Sequence, residues 1–224
     1  MPSPLAGSVG ILGGSFNPVH NGHLRLAVEI REALGLARVD LLPARMPPHK
    51  KGDGLLDFEC RLDLLLRAVE GVQGIGVCDL EGRMPVPSYS HDTLTRLREL
   101  YPEVNHVFIL GGTDLLTLPS WHRGLEIPLL ADLAVAERLG GDAEEVDRFL
   151  DANWNCTKDE HGVRCIAGGR RVVFVPVPRL DISSSMVRDK FCAGREISAL
   201  VPERVRERLL AAPRFFADRW SATT

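Results

Sequence analysis

The chain has 224 residues, 45% of them hydrophobic, and a formal net charge of −3 at pH 7. That length and apolar content can bury one substantial core without disulfides or metals, and the lack of a basic excess argues against a dedicated nucleic-acid binder. No apolar run is long enough to span a bilayer, nothing before Gly10 reads as a signal peptide, and the five cysteines (Cys60, Cys78, Cys156, Cys165, Cys192) include no Cys-x-x-Cys pair, so a reducing cytoplasm is the expected setting.

In chain order, an apolar run at 9–12 predicts a strand, followed by a glycine-rich turn and an amphipathic helix. The helix carries its stripe on Leu24, Ala27, Val28, Ile30, Ala33 and Leu34 and stops at Gly35. A second strand is expected at 39–42, then a helical face on Phe58, Leu62, Leu65, Leu66 and Val69, and a third strand at 75–78. Leu94, Leu97 and Leu100 form the next face, ending before Pro102, and strands follow at 106–110, 133–136 and 172–175. This alternation predicts an α/β fold, a parallel sheet with helices on both faces. Residues 140–169 read as a surface helix and a hairpin-like excursion, because an acidic segment at 142–147 precedes a polar loop. One domain spanning 1–224 is expected, with a C-terminal helical portion at about 183–212.

The stretch with most chemistry is Gly13-Gly14-Ser15-Phe16-Asn17-Pro18-Val19-His20-Asn21-Gly22-His23. Glycines let backbone approach a ligand, and the first turn of the following helix offers unpaired N–H groups and a positive dipole end to an anion. Two histidines three residues apart stand at the same helix start, a pairing suited to chemistry at phosphorus. The stretch lacks the Lys-Ser/Thr ending of a P-loop and the spacing of the dinucleotide fingerprint. Half of a metal site, or a turn with no chemistry, are the competing readings. Cys156, His161 and Cys165 likewise place three soft ligands near one another, without a fourth.

Three further stretches bear on the same question. Ile182-Ser183-Ser184-Ser185 with Arg188 reads as a helix start rich in hydroxyls with a guanidinium one turn on; by itself it is also an ordinary N-cap. Pro47-Pro48-His49-Lys50 is a stiffened loop that delivers a cation, or a solvated basic turn. Gly111-Gly112-Thr113-Asp114 puts a carboxylate at a strand's end, with Trp121 and His122 shortly after.

Gly14-x-Phe16-x-Pro18-x-His20-x-Gly22-His23 resembles the signature of the HxGH nucleotidylyltransferases. Residues 43–50, 88–94, 111–114 with Trp121 and His122, and 182–188 resemble, in the same order, the bacterial nicotinate mononucleotide adenylyltransferases. The resemblance implies a Rossmann-like nucleotidylyltransferase core that transfers adenylyl from ATP to nicotinate mononucleotide, giving deamido-NAD and pyrophosphate. Mg²⁺ would be carried on ATP, with no metal site on the protein. The implied catalytic residues are His20, His23, Lys50 and Arg188. ATP would be held by Gly13, Gly14, Ser15, Phe16, His20, His23, Gly111, Asp114, Ile182, Ser183, Ser184 and Arg188. Nicotinate mononucleotide would meet Ser15, Phe16, Lys50, Tyr89, Ser90 and Trp121. Asn17 stands where many members carry Asp. The expected partners are the two nucleotides, with no nucleic acid or membrane and a homo-oligomer left open. The rivals are a transferase of the same superfamily acting on another phosphorylated acceptor, such as pantetheine phosphate, and a noncatalytic nucleotide sensor.

Overall fold

The computed structural model describes residues 3–48, 54–137, 143–159, 163–166, 169–178 and 180–221. His49, Lys50 and His161 lie outside the described residues. Along the chain run β1 (Val9–Gly14), α1 (Asn21–Leu34), β2 (Arg38–Pro43), α2 (Phe58–Val69), β3 (Ile75–Val77), α3 (Ser90–Leu100), β4 (His106–Gly111), α4 (Gly112–Thr117), α5 (Ile127–Leu130) and β5 (Asp132–Glu137). Then come α6 (Ala143–Trp154), β6 (Thr157–Lys158), β7 (Arg164–Cys165), β8 (Arg171–Pro176), α7 (Ser184–Cys192), α8 (Glu203–Leu210) and α9 (Pro213–Ser221). The strands hydrogen-bond in the order β3-β2-β1-β4-β5-β8-β7-β6.

The chain folds into two compact units, one made of 1–13, 29–40 and 89–179, the other of 14–28, 41–88 and 180–224. In the first unit β1, β4, β5 and β8 pair in parallel. Their residues Ile11, Val107, Ile109, Leu133, Val135 and Val172 are almost wholly buried, as parallel strands covered on both faces require. The expected parallel sheet carries an antiparallel extension at one edge, where β7 pairs antiparallel with both β8 and β6. The expected excursion after α6 is therefore a hairpin that extends the sheet. Short connections permit only antiparallel neighbours.

The second unit contains the end of β2, β3, α2 and the three C-terminal helices. The apolar face expected on α2 is rotated in the structure. Phe58, Arg61, Leu64, Leu65 and Ala68 are the buried residues, while Leu66 is 55% exposed. Periodicity alone missed this because the innermost position holds an arginine. Phe191, Phe216 and Trp220 pack edge to face or tilted with ring centroids 5.4 to 6.4 Å apart, joining α7 to α9. Arg208 on α8 lays its guanidinium 5.3 Å from the Phe216 ring and ion-pairs with Asp63 of α2 at 3.0 Å. No disulfide forms among the described residues, where all five cysteines are thiols. No described helix is long and apolar enough to cross a membrane.

Candidate active site

The second unit carries a cluster built on residues 14–23. The chain leaves β1 at Gly14 and turns so sharply that Phe16 adopts φ +46°, with its ring 1% exposed. A side chain at Gly14 would press on that ring at 3.0 Å. The Phe16 ring meets His23 edge-on at 4.8 Å, and His23 stacks on His20 at 3.6 Å. His23 Nδ1 accepts the His20 backbone N–H at 3.2 Å, so the His23 ring proton sits on Nε2.

His20 is 6% exposed, and burial lowers its pKa from 6.5 to about 4. Its Nδ1 is buried with no hydrogen-bond partner among the described residues. At neutral pH this imidazole is uncharged and serves as a hydrogen-bonding group. The unfolded chain takes a proton at His20 near pH 6.5, whereas the folded chain resists it until about pH 4. Stability therefore rises with pH across that window, and His20 accounts for about 3 kcal/mol lost on going below it. Urea unfolding of wild type and His20→Asn between pH 4 and 8 checks this: the wild-type slope should be the steeper. Equal slopes would contradict it.

Gly22 is required by close approach. A Cβ there would stand 3.0 Å from His20 Nδ1 and 3.1 Å from Cε1, so the ring would have to shift by a few tenths of an ångström. Gly22→Ala is expected to cut kcat by about tenfold through that displacement while leaving the melting temperature nearly unchanged. Steady-state kinetics beside a thermal melt would show it.

The helix start is less open than the sequence suggested. The Asn21 N–H donates to Leu200 O at 2.8 Å and its side-chain amide to Ala199 O at 3.0 Å, leaving the Gly22 N–H without an acceptor among the described residues. Asn17 has both amide atoms engaged. Nδ2 donates to Gly54 O at 2.7 Å, while Oδ1 accepts from Leu56 N–H at 3.1 Å and from Trp220 Nε1 at 3.4 Å.

Helix α7 reaches the same turn. Ser183 caps it, its Oγ accepting the Met186 N–H at 3.1 Å. Ser184 Oγ donates to Pro18 O at 2.9 Å, so its only proton is committed to the turn, and the groups it keeps for an anion are its N–H and lone pairs. Arg188 donates to Asn17 O at 2.8 Å and to Ser185 Oγ at 3.2 Å, and a guanidinium retains further N–H groups beyond these two. Phe16, His23 and His20 thus stack in sequence, and Ser184 and Arg188 hydrogen-bond to the backbone of the turn that carries them. The Ile182 carbonyl lies 3.7 Å from where a Gly22 Cβ would be. The Ser15 backbone oxygen accepts from Arg61 at 2.8 Å.

The first unit carries the other expected residues, Gly13, Tyr89, Ser90, Gly111, Asp114 and Trp121. Asp114 Oδ2 accepts the Gly111 N–H at 3.2 Å at the start of α4. Tyr89 stacks on His122 at 4.3 Å, and Ser90 opens α3. Around them is a polar group that the sequence did not assign. His91 is 4% exposed, its Nδ1 is 3.1 Å from Asp92 Oδ1, and its Nε2 is 3.8 Å from Glu126 Oε2. Arg123 clamps Glu126 with a two-pronged contact of 2.9 and 2.6 Å. These residues fix the segment that bears half-buried Trp121. The sequence reading also missed Arg61 and Trp220, because a charged residue inside an apolar face and a C-terminal aromatic give no local signal of a distant contact.

The cytidylyltransferase-like family model matches residues 11–190. A probable nicotinate-nucleotide adenylyltransferase of Geotalea uraniireducens is 36% identical, the alignment covering 94% of this chain and 98% of that protein. Its counterpart in Geobacter sulfurreducens is 37% identical over 93% of this chain and 97% of its own. In fold, the chain is similar to the Plasmodium falciparum nicotinic acid mononucleotide adenylyltransferase complexed with NaAD, with a TM-score of 0.72 and 18% identity, covering 95% of this chain and 98% of that one.

Proposed function

The chain belongs to the nicotinate-nucleotide adenylyltransferases of the cytidylyltransferase-like family, and from that premise we propose how its residues divide the work. The reaction is adenylyl transfer from ATP to nicotinate mononucleotide, yielding nicotinate adenine dinucleotide and pyrophosphate in NAD biosynthesis. An oxygen of the mononucleotide phosphate attacks the α-phosphorus, and the bond from that phosphorus to the β-phosphate oxygen breaks. The attacking oxygen is already anionic, so the protein needs no nucleophile of its own. Its task is to hold two phosphates in line and to stabilise the charge that builds on the transferring and leaving groups.

The observation that carries this reading is the stacked, oriented pair His20 and His23 beside α7. In our assignment His23 Nε2–H and the His20 ring face the α-phosphate, together with the Gly22 N–H. The N–H groups at the start of α7 and the remaining donors of Arg188 hold the β- and γ-phosphates, and Lys50 adds a further cation. Tyr89, Ser90 and Trp121 receive the pyridine, and Asp114 accepts from nucleotide hydroxyls. Mg²⁺ comes as part of the ATP substrate: Asn17, its amide engaged on both sides, offers no ligand. The partners we assign are the two nucleotides, in the cytoplasm, consistent with thiols at all five cysteines.

The test is pyrophosphate release by the purified chain with ATP and a panel of acceptors: nicotinate mononucleotide, its amide, and pantetheine phosphate. Release dependent on nicotinate mononucleotide is expected. Release only with pantetheine phosphate, or binding of ATP with no release, would replace this reading by one of its rivals.

A further inference from the structure

Arg61 lies fully buried on α2, with 0% exposure, outside every motif described above. Its guanidinium donates to three backbone carbonyls: Leu56 O at 2.8 Å through Nε, Ser15 O at 2.8 Å through Nη1, and Arg45 O at 3.1 Å through Nη2. The three carbonyls belong to the lead-in to α2, the glycine turn after β1, and the loop after β2. Burying a cation is costly, and an apolar side chain of similar volume often serves stability as well, so a guanidinium kept here points to geometry.

The contact with Ser15 O is the informative one. The Ser15–Phe16 peptide is trans, so its C=O and N–H point in opposite directions. A bond from Arg61 to the carbonyl therefore aims the Phe16 N–H away from Arg61. No acceptor among the described residues takes that N–H. Phe16 itself is held at φ +46°, a left-handed conformation that is strained for a non-glycine residue and persists only when its surroundings enforce it.

We propose that Arg61 is a positioning residue for adenylyl transfer: by pinning the Ser15 carbonyl it orients the Phe16 N–H as a preformed donor to a substrate phosphate. The inference rests on the reaction assigned above. Arg61 touches no substrate and acts through the backbone of the turn.

The test compares Arg61→Lys and Arg61→Ala with wild type in steady-state kinetics for both substrates, with kcat normalised to the folded fraction by thermal melting. A lysine cannot reach three carbonyls in one plane, so kcat should fall by about 10- to 10²-fold in Arg61→Lys while each KM changes less. Millimolar methylguanidinium should recover part of kcat in Arg61→Ala and none in His20→Ala, a response that a merely destabilised fold does not give. If Arg61→Ala does not fold, Arg61→Lys decides alone. A kcat for Arg61→Lys within twofold of wild type per folded molecule overturns the proposal, as does Arg61→Ala with normal kcat per folded molecule. Wild-type activity on nicotinate mononucleotide tests the assigned reaction separately. Should another acceptor support pyrophosphate release instead, the ratio of variant to wild type with that acceptor still decides the role of Arg61.

Discussion

Alanine at His20 or at His23 is expected to lower kcat by about 10²–10³, equivalent to roughly 3–4 kcal/mol of barrier, with the KM for ATP changed only a few-fold. The asymmetry follows from what each ring does. Burial holds His20 neutral, with its pKa at about 4, so in the ground state it adds little attraction for a triphosphate. Its value appears when negative charge grows on the transferring phosphoryl oxygens. His23 has its orientation set twice, by the 3.6 Å stack on His20 and by the N–H bond to its Nδ1. Removing either ring therefore disturbs the other, and the double variant should be little slower than the worse single one. Neither change should unfold the protein, since His20→Ala also removes a buried nitrogen that has no partner among the described residues. Turnover of both single variants within a few-fold of wild type would remove the histidines from the chemistry.

Nicotinate mononucleotide should be preferred over nicotinamide mononucleotide by a factor on the order of 10² or more in kcat/KM. A carboxylate only accepts hydrogen bonds, whereas a carboxamide must also donate. Of the residues assigned to the pyridine, Tyr89 and Ser90 lie at the start of α3, where the Ser90 hydroxyl and the helix N–H groups are donors, and the dipole favours an anion. The carboxylates nearby are already engaged: Asp92 faces the ring nitrogen of His91 at 3.1 Å, and Glu126 holds the fork of Arg123 at 2.6 and 2.9 Å. An amide NH₂ would find donors rather than acceptors. Measuring kcat/KM for both mononucleotides at equal ATP checks it, and equal values would show that the pyridine substituent is read elsewhere.

The strands at 9–12, 106–110 and 133–136 were legible because each is a short apolar run between polar segments, and the structure extends them by one or two residues. The motif residues were legible because glycine turns and helix caps are local: Ser183 caps α7, and Gly35, at φ +61°, follows the last residue of α1. The rest depends on distant contacts. Nothing near Asn17 in sequence indicates that its amide is claimed by Gly54, Leu56 and Trp220. Arg61 gives no signal in the sequence because periodicity registers side-chain polarity, whereas its burial is made possible by carbonyls brought in from three loops. Ser184 shows the converse. Its place at the helix start is legible, but not that its hydroxyl donates to Pro18 O, a partner 166 residues away.

In the proposed reaction the adenylyl group passes directly to the mononucleotide phosphate, without a protein-bound intermediate. Following α-³²P-labelled ATP through a single turnover with nicotinate mononucleotide tests it most directly. Label is expected to move from ATP into nicotinate adenine dinucleotide with one unlabelled pyrophosphate per dinucleotide, and none should be found on the protein at any time. Label trapped on the protein, or retained in ATP while both substrates are bound, would contradict it.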